Sequence, residues 1–129
     1  MTTLVVVDDE SLVTEVLSFI LGGAGYEIHT AFNGREAISL IHRQRPALVI
    51  TDLMMPVMSG LALAKAIRND DGLRHLPVIL CSSARDPVKL EERPLFDAIV
   101  RKPCPPDRLL ELVAQLVGRS AAGTNAGAP

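Results

Sequence analysis

Five short apolar segments constrain the fold of this chain more than any other feature of its sequence. Four of them are almost continuous in Val, Ile, Leu and small apolar residues, at positions 4–7, 47–50, 78–81 and 98–100. Such segments are typical of strands buried on both faces, as in a parallel sheet covered by helices. The fifth, at 26–31, carries Glu27 and His29 among its apolar residues. It is therefore predicted to be an edge strand.

Apolar residues at three- and four-residue spacing fill the intervals between these segments and predict helices. Turn and capping residues mark the helix ends: Gly22-Gly23 after the first, Asn33-Gly34 before and Pro46 after the second, Ser59 before the third, and Pro105-Pro106 before and Gly118 after the last. Between the fourth and fifth strands, prolines limit any helix to a short one over residues 87–93. The alternation of strands and helices implies right-handed crossovers and a doubly wound α/β sheet of five parallel strands.

The length of the chain, 129 residues, is that of one domain. We expect this domain over residues 1–118. Residues 119–129 are mostly Ala, Gly, Ser, Thr and Asn without periodicity. This composition predicts a disordered tail.

Composition argues against several classes of function. A net charge of −2, three Phe, one Tyr and no Trp argue against direct binding of nucleic acid through a basic surface or stacked bases. No apolar run is long enough to span a bilayer, and the N-terminus has no signal-peptide pattern, so no membrane partner is expected. Cys81 and Cys104 lack metal-binding spacing, which favours a reduced, cytoplasmic compartment.

Polar side chains follow four of the predicted strands at the point where each strand ends. They are Asp8 and Asp9 after the first, Asp52 after the third, Ser82 after the fourth and Lys102 after the fifth. Taken singly, each has an ordinary role as a loop, turn or surface residue. In an open α/β sheet, however, ligands bind outside the carboxyl ends of the strands. We therefore expect three carboxylates, a hydroxyl and an ammonium to converge on one crevice.

The charges of this crevice do not balance, because one lysine faces three carboxylates. Two unit charges 4 Å apart repel by about 4 kcal/mol even at an effective dielectric constant near 20. A divalent cation would offset the excess, and carboxylate oxygens with open positions suit Mg²⁺. A metal ion and a lysine beside a free carboxylate also suit phosphoryl transfer, in which a carboxylate can be the nucleophile.

These residues lie within motifs that, together, are highly specific. The motifs are Asp8-Asp9-Glu10, the segment from Asp52 through Pro56 to Gly60, the segment from Pro77 to Ser82, and Lys102-Pro103. In order and spacing the chain resembles the receiver domains of bacterial two-component response regulators, over residues 3–118, and is most like the stand-alone, chemotaxis-regulator type. The resemblance implies a flavodoxin-like sheet with strand order 2-1-3-4-5.

The resemblance also implies a role for each site residue. Asp52 matches the phosphoacceptor, which also contacts the metal. Asp9 matches the acidic residue that binds Mg²⁺ directly, Asp8 the one that acts mainly through water, and the backbone carbonyl of Met54 a further metal ligand.

Two more residues match the part of the site that handles the phosphoryl group. Lys102 matches the lysine that pairs with the phosphoryl group, through a cis bond to Pro103. Ser82 matches the hydroxyl that turns toward the phosphoryl oxygens on activation. The family's usual switch aromatic is replaced here by Ile99, and the fourth helix is shortened.

The resemblance implies a signalling phosphoacceptor rather than a metabolic enzyme. Its donor would be a histidine kinase or a histidine phosphotransfer protein, and its output would be an unknown partner in trans. The chain itself would be a monomer or a weak, phosphorylation-dependent dimer. One alternative is a receiver-like interaction module that does not use phosphate. Another is an aspartyl phosphohydrolase of the dehalogenase type, but Met54 stands at its general-acid position and cannot serve.

Overall fold

The computed structural model describes residues 1–85 and 87–127, with residues 120–127 as backbone only. Its centre is a sheet of five parallel strands in the order β2-β1-β3-β4-β5. The strands are β1 Thr3–Val7, β2 Glu27–Ala31, β3 Leu48–Asp52, β4 Val78–Ser82 and β5 Ala98–Arg101. The predicted strands and their doubly wound order are confirmed, and β2 lies at an edge as expected.

Helices cover both faces of the sheet. They are α1 Ser11–Gly23, α2 Gly34–Gln44, α3 Gly60–Arg68 and α4 Pro106–Gly127. Two begin at side-chain caps, since the Asn33 side chain accepts the N–H of Glu36 at 2.9 Å and the Ser59 hydroxyl accepts that of Ala62 at 3.1 Å. Such caps satisfy backbone donors that have no partner within the helix.

The connection between β4 and β5 differs from its predicted form. It contains a 3₁₀ helix, Leu90–Leu95, instead of an α-helix over residues 87–93. Glu92 fixes its start, because its carboxylate accepts the backbone N–H of Lys89 at 2.8 Å. Pro94 lies inside the segment and has no N–H for an α-helical hydrogen bond. This limits the segment to a short 3₁₀ helix.

The sequence predicted that the last helix ends at Gly118, but the helix extends past this residue. It continues to Gly127, so residues 119–127 are helical rather than the disordered tail that composition predicted. A glycine ends a helix when it takes the left-handed conformation, and Gly118 does not. Ala121 and Ala122 then follow it, and alanine favours the helix. Residues 128–129 of the predicted tail lie outside the described part of the chain.

Alternation along the strands divides the buried core into two clusters. On one face, side chains such as Val5, Val7 and Val49 pack against α2 and α3. On the other, Leu4 and Ile50 are among those that pack against α1 and α4. Both faces of the central strands are therefore buried, which explains their continuous apolar sequences. Within the described residues, no helix is both long and apolar enough to cross a membrane.

Candidate functional site

The carboxyl ends of four strands bring the predicted site residues together. Asp8 directly follows β1, Asp52 ends β3, Ser82 ends β4 and Lys102 directly follows β5. The strands are parallel and in register, with Asp52 beside Cys81 on the neighbouring strand. The polar side chains therefore meet at one edge of the sheet, where open α/β sheets bind ligands.

Three carboxylates form the negative part of this site. Oxygens of Asp8, Asp9 and Asp52 all lie within 4.8 Å of one another. Asp8 is 2% exposed and accepts the backbone N–H of Glu10 at 3.0 Å, while Asp9 is exposed. The Asp52 side chain is 13% exposed. The cluster is therefore open on the side of Asp9 and closed on the side of Asp8.

Lys102 is the cation that faces these carboxylates. Its Nζ donates to Asp8 Oδ2 at 2.8 Å and to Asp52 Oδ1 at 3.3 Å. Its backbone N–H donates to the Ser82 carbonyl at 2.9 Å, and its peptide bond to Pro103 is cis, as the resemblance implied. Burial alone would lower the pKa of Lys102, but the hydrogen bond and charge of Asp8, with the charge of Asp52, outweigh burial and raise it. The ammonium therefore stays charged at neutral pH.

Asp52 keeps an unfavourable charge despite this lysine. Partial burial raises the pKa of the Asp52 carboxyl; the Lys102 ammonium opposes this effect, and the Asp8 carboxylate adds to it. One ammonium thus does not offset the cluster. The three carboxylates supply the oxygen ligands that Mg²⁺ prefers, with solvent access at Asp9, so the donor set fits this ion.

The connection from β3 to α3 begins directly at Asp52. The N–H of Gly60 donates to the Leu53 carbonyl at 2.8 Å, and a Cβ on residue 60 would overlap the Asp52 carbonyl oxygen. Only glycine allows this close approach. Sequence reasoning quoted Gly60 within a motif but gave it no role. Met54, whose carbonyl the resemblance assigns to the metal, lies in this connection; that assignment stays a prediction.

Ser82 is buried on the far side of Asp52 from Asp9. It is 4% exposed, and its Oγ accepts the backbone N–H of Ala84 at 3.2 Å. The hydroxyl thus closes the turn that leaves β4. Its predicted movement toward a phosphoryl group stays a prediction, because this arrangement is a single conformation.

Comparison with known proteins assigns the family. The family model for the response regulator receiver domain matches residues 4–114, so the chain belongs to the family of response regulator receiver domains. The polar-differentiation response regulator DivK of Brucella anthropi is 30% identical over 120 residues, which are 90% of this chain and 96% of DivK. Other curated relatives, such as the mycobacterial DNA-binding regulator MtrA, are longer, and this chain spans about half of their length or less.

Solved structures agree with this assignment. The chemotaxis response regulator CheY4 of Vibrio cholerae is 30% identical with a TM-score of 0.82, over 90% of this chain and 98% of that one. The response regulator TrrA of Thermotoga maritima is 35% identical with the same TM-score, 0.82, over 90% and 99% of the two chains. The TrrA structure is a complex with Mg²⁺-BeF.

Proposed function

We propose that this receiver accepts a phosphoryl group on Asp52 from a histidine kinase or a histidine phosphotransfer protein. Mg²⁺ is required for this reaction, and phosphorylation switches the binding of an output partner. The observation that carries the proposal is the position of Asp52, which accepts from the Lys102 ammonium at 3.3 Å and lies within 4.8 Å of the carboxylates of Asp8 and Asp9. We place the receiver unit at residues 1–118 and its activity in the cytoplasm.

The reaction is an in-line transfer from nitrogen to oxygen. A carboxylate oxygen of Asp52 attacks phosphorus, an O–P bond forms, and the P–N bond to the donor imidazole breaks with its electron pair left on nitrogen. Lys102 holds positive charge beside Asp52 and so faces the phosphoryl oxygens as they arrive. Asp8, Asp9, Asp52 and the Met54 carbonyl would hold Mg²⁺, which would supply the positive charge that the cluster otherwise lacks.

Ser82 gives the site a way to report phosphorylation. Its oxygen accepts the backbone N–H of Ala84, and its O–H can donate to a phosphoryl oxygen. A hydrogen bond to a charged acceptor contributes about 1.5–3 kcal/mol, which is enough to move a loop. The segment after β4 would then present a different surface to the output partner.

Acetyl phosphate with Mg²⁺ tests the acceptor without any partner. We expect intact-mass analysis to show one added phosphoryl group on the wild-type protein and none on Asp52→Asn. Asp71→Asn, an exposed carboxylate outside the site, is the matched control and should be labelled normally. No labelling of the wild type would instead favour an interaction module that does not use phosphate. Labelling of Asp52→Asn at another residue would refute the acceptor assignment.

A further inference from the structure

Two cysteine thiols line one cavity beside the Asp52 site. Cys81 lies on β4 directly before Ser82, and Cys104 follows Lys102 by two residues. Both line a cavity of about 370 Å³ between α1 and the start of α4, and both pack in the core on that face of the sheet. Apart from Lys102, every other side chain of the lining is aliphatic. The two thiols therefore share one apolar space.

The two thiols also lie close to each other, although they are far apart in sequence. Burial raises the pKa of the Cys81 thiol to about 12. The negative charge of a Cys104 thiolate is the next largest influence on this pKa, ahead of the charges of Lys102 and Asp52. Because electrostatic influence falls with distance, this order indicates that Cys104 is a near neighbour of Cys81.

The thiols differ in their access to solvent. Cys81 is 6% exposed, whereas Cys104 is half-buried. The Cys104 Sγ donates to the Pro105 carbonyl at 3.7 Å, and a thiol is a weak donor. A contact of this kind does little to fix the side chain, and the cavity provides space for the Cys104 sulfur to approach Cys81.

We propose that Cys81 and Cys104 form a modification site at which a hydroperoxide converts two thiols into one disulfide. With hydrogen peroxide, the Cys104 thiolate attacks an oxygen, the O–O bond breaks, and the leaving hydroxide takes up the proton that the thiol has lost. The Cys81 sulfur then attacks the sulfenic acid of Cys104, the S–O bond breaks, and the hydroxyl leaves with the Cys81 proton as water. Two electrons thereby pass from the thiols to the peroxide.

The surroundings of Cys104 set the conditions for this reaction. Burial raises the pKa of its thiol, and the Arg108 guanidinium only partly opposes this effect. Little thiolate is therefore present at neutral pH, and oxidation is slow. The pair stays reduced in a reducing compartment until peroxide is abundant. A small, uncharged oxidant also suits an apolar cavity.

A disulfide at this place affects both residues that handle the phosphoryl group in the proposed function. Cys81 directly precedes Ser82, and only Pro103 separates Cys104 from Lys102. Proline has a fixed φ, so a shift of Cys104 toward β4 is transmitted to Lys102. The ammonium, 3.3 Å from Asp52, then moves relative to the acceptor. This effect rests on the proposed function, whereas formation of the disulfide does not.

Intact-mass analysis after treatment with hydrogen peroxide tests the pair. We expect the wild type to lose about 2 Da and both titratable thiols, and dithiothreitol to reverse both changes. Cys104→Ser should show neither change, and it keeps the four methionines, so it also controls for their oxidation. Cys81→Ala should stop at a sulfenic acid on Cys104, which dimedone traps.

Labelling by acetyl phosphate tests the effect on the site. We expect the oxidised wild type to be labelled about fivefold or more slowly than the reduced protein, because Lys102 is displaced from Asp52. The same treatment should not slow the labelling of Cys104→Ser.

Three results would overturn the inference: a covalent dimer in place of the internal disulfide, a sulfinic acid on Cys104 with Cys81 still reduced, or unchanged labelling after complete disulfide formation. Failure of acetyl phosphate to label the reduced wild type would instead refute the proposed function. The mass and thiol measurements would then still decide whether the disulfide forms.

Discussion

Two connections leave neighbouring buried strands at the site, and they are held in different ways. The one after β3 begins at Asp52 and is fixed through its own backbone, by Gly60 against Leu53 and by Met58 against Gly34. The one after β4 begins at Ser82 and contains the 3₁₀ helix Leu90–Leu95, none of whose residues is buried. The first connection is held by close backbone packing, while the second is anchored in the core by Val88 and Phe96 and leaves its 3₁₀ helix at the surface.

The side chain of Arg68, on α3, makes most of the polar contacts that hold the second connection in place. The guanidinium of Arg68 donates to the carbonyls of Leu95, Arg74 and Leu76 at 3.0, 2.9 and 2.6 Å, and to Asp97 Oδ1 at 2.9 Å. Arg68 thereby joins the end of the 3₁₀ helix and the start of β5 to α3. The difference between the connections fits the proposed function, in which an acceptor and its metal ligands need fixed geometry and a reporting segment must move.

The largest expected effect is on the rigid connection. We expect Gly60→Ala to destabilise the fold by about 3 kcal/mol or more, because the added methyl group meets the Asp52 carbonyl, part of the backbone. Gly118→Ala is the matched control, with nothing within 4 Å of its Cβ position. It should stabilise α4 by up to about 1 kcal/mol. Urea unfolding measures both, and a Gly60→Ala protein as stable as the wild type would contradict the close packing of this connection.

The next effect concerns the second connection. We expect Arg68→Ala to cost about 1–2 kcal/mol, because it leaves the partly buried carbonyls of Leu95 and Leu76 without their donor. Hydrogen exchange should then accelerate in residues 90–97 and remain unchanged in residues 53–60. Arg93→Ala, an exposed arginine on the 3₁₀ helix, is the control. Equal acceleration in both connections would show that they are not held independently.

The charge of Asp52 predicts a smaller effect, in which a substitution stabilises the fold instead of destabilising it. Its pKa is raised in the folded protein, mainly by burial, so folding favours the protonated carboxyl. The associated stability is present at low pH and is lost as pH rises through the folded-state pKa. Without metal at pH 7, Asp52→Asn should therefore have a higher Tm than the wild type, and the gain should vanish in acid.

Addition of Mg²⁺ provides the control for that comparison. The ion should stabilise the wild type more than Asp52→Asn, because a ligand stabilises the state that binds it. An Asp52→Asn protein less stable than the wild type in EDTA at pH 7 would mean that Lys102 more than offsets the charge of Asp52.

The sequence predicted the strand ends that form the site better than it predicted the connections that follow β3 and β4. Apolar runs located every strand, and strand order placed Asp8, Asp52 and Lys102 together, because these depend on local pattern and on the geometry of parallel sheets. Arg68 gave no such signal, since most of its acceptors are backbone carbonyls, which every residue carries, and its one side-chain acceptor, Asp97, is distant in sequence. The sequence also did not predict the left-handed backbone of Val57, at φ 68°, because a β-branched residue rarely adopts this conformation.

The smallest expected effect is at Ile99 on β5. The strand order that the resemblance implied makes β5 an edge strand, and Ile99 is partly buried against the core on the α3 side. Ile99→Val removes one methylene at a half-buried position, so we expect a loss of about 0.5–1 kcal/mol.

Its effect on switching should be smaller still. A β-branched side chain is stiff at χ1 and too short to exchange between buried and exposed positions, so we expect any movement after β4 to come from the Ser82 hydroxyl. Beryllofluoride with Mg²⁺ should therefore change hydrogen exchange in residues 83–85 and 87–95 equally in the wild type and in Ile99→Val, but less in Ser82→Ala. If Ile99→Val lost this response while its fold stayed intact, the Ile99 side chain would itself take part in the conformational change of the segment after β4.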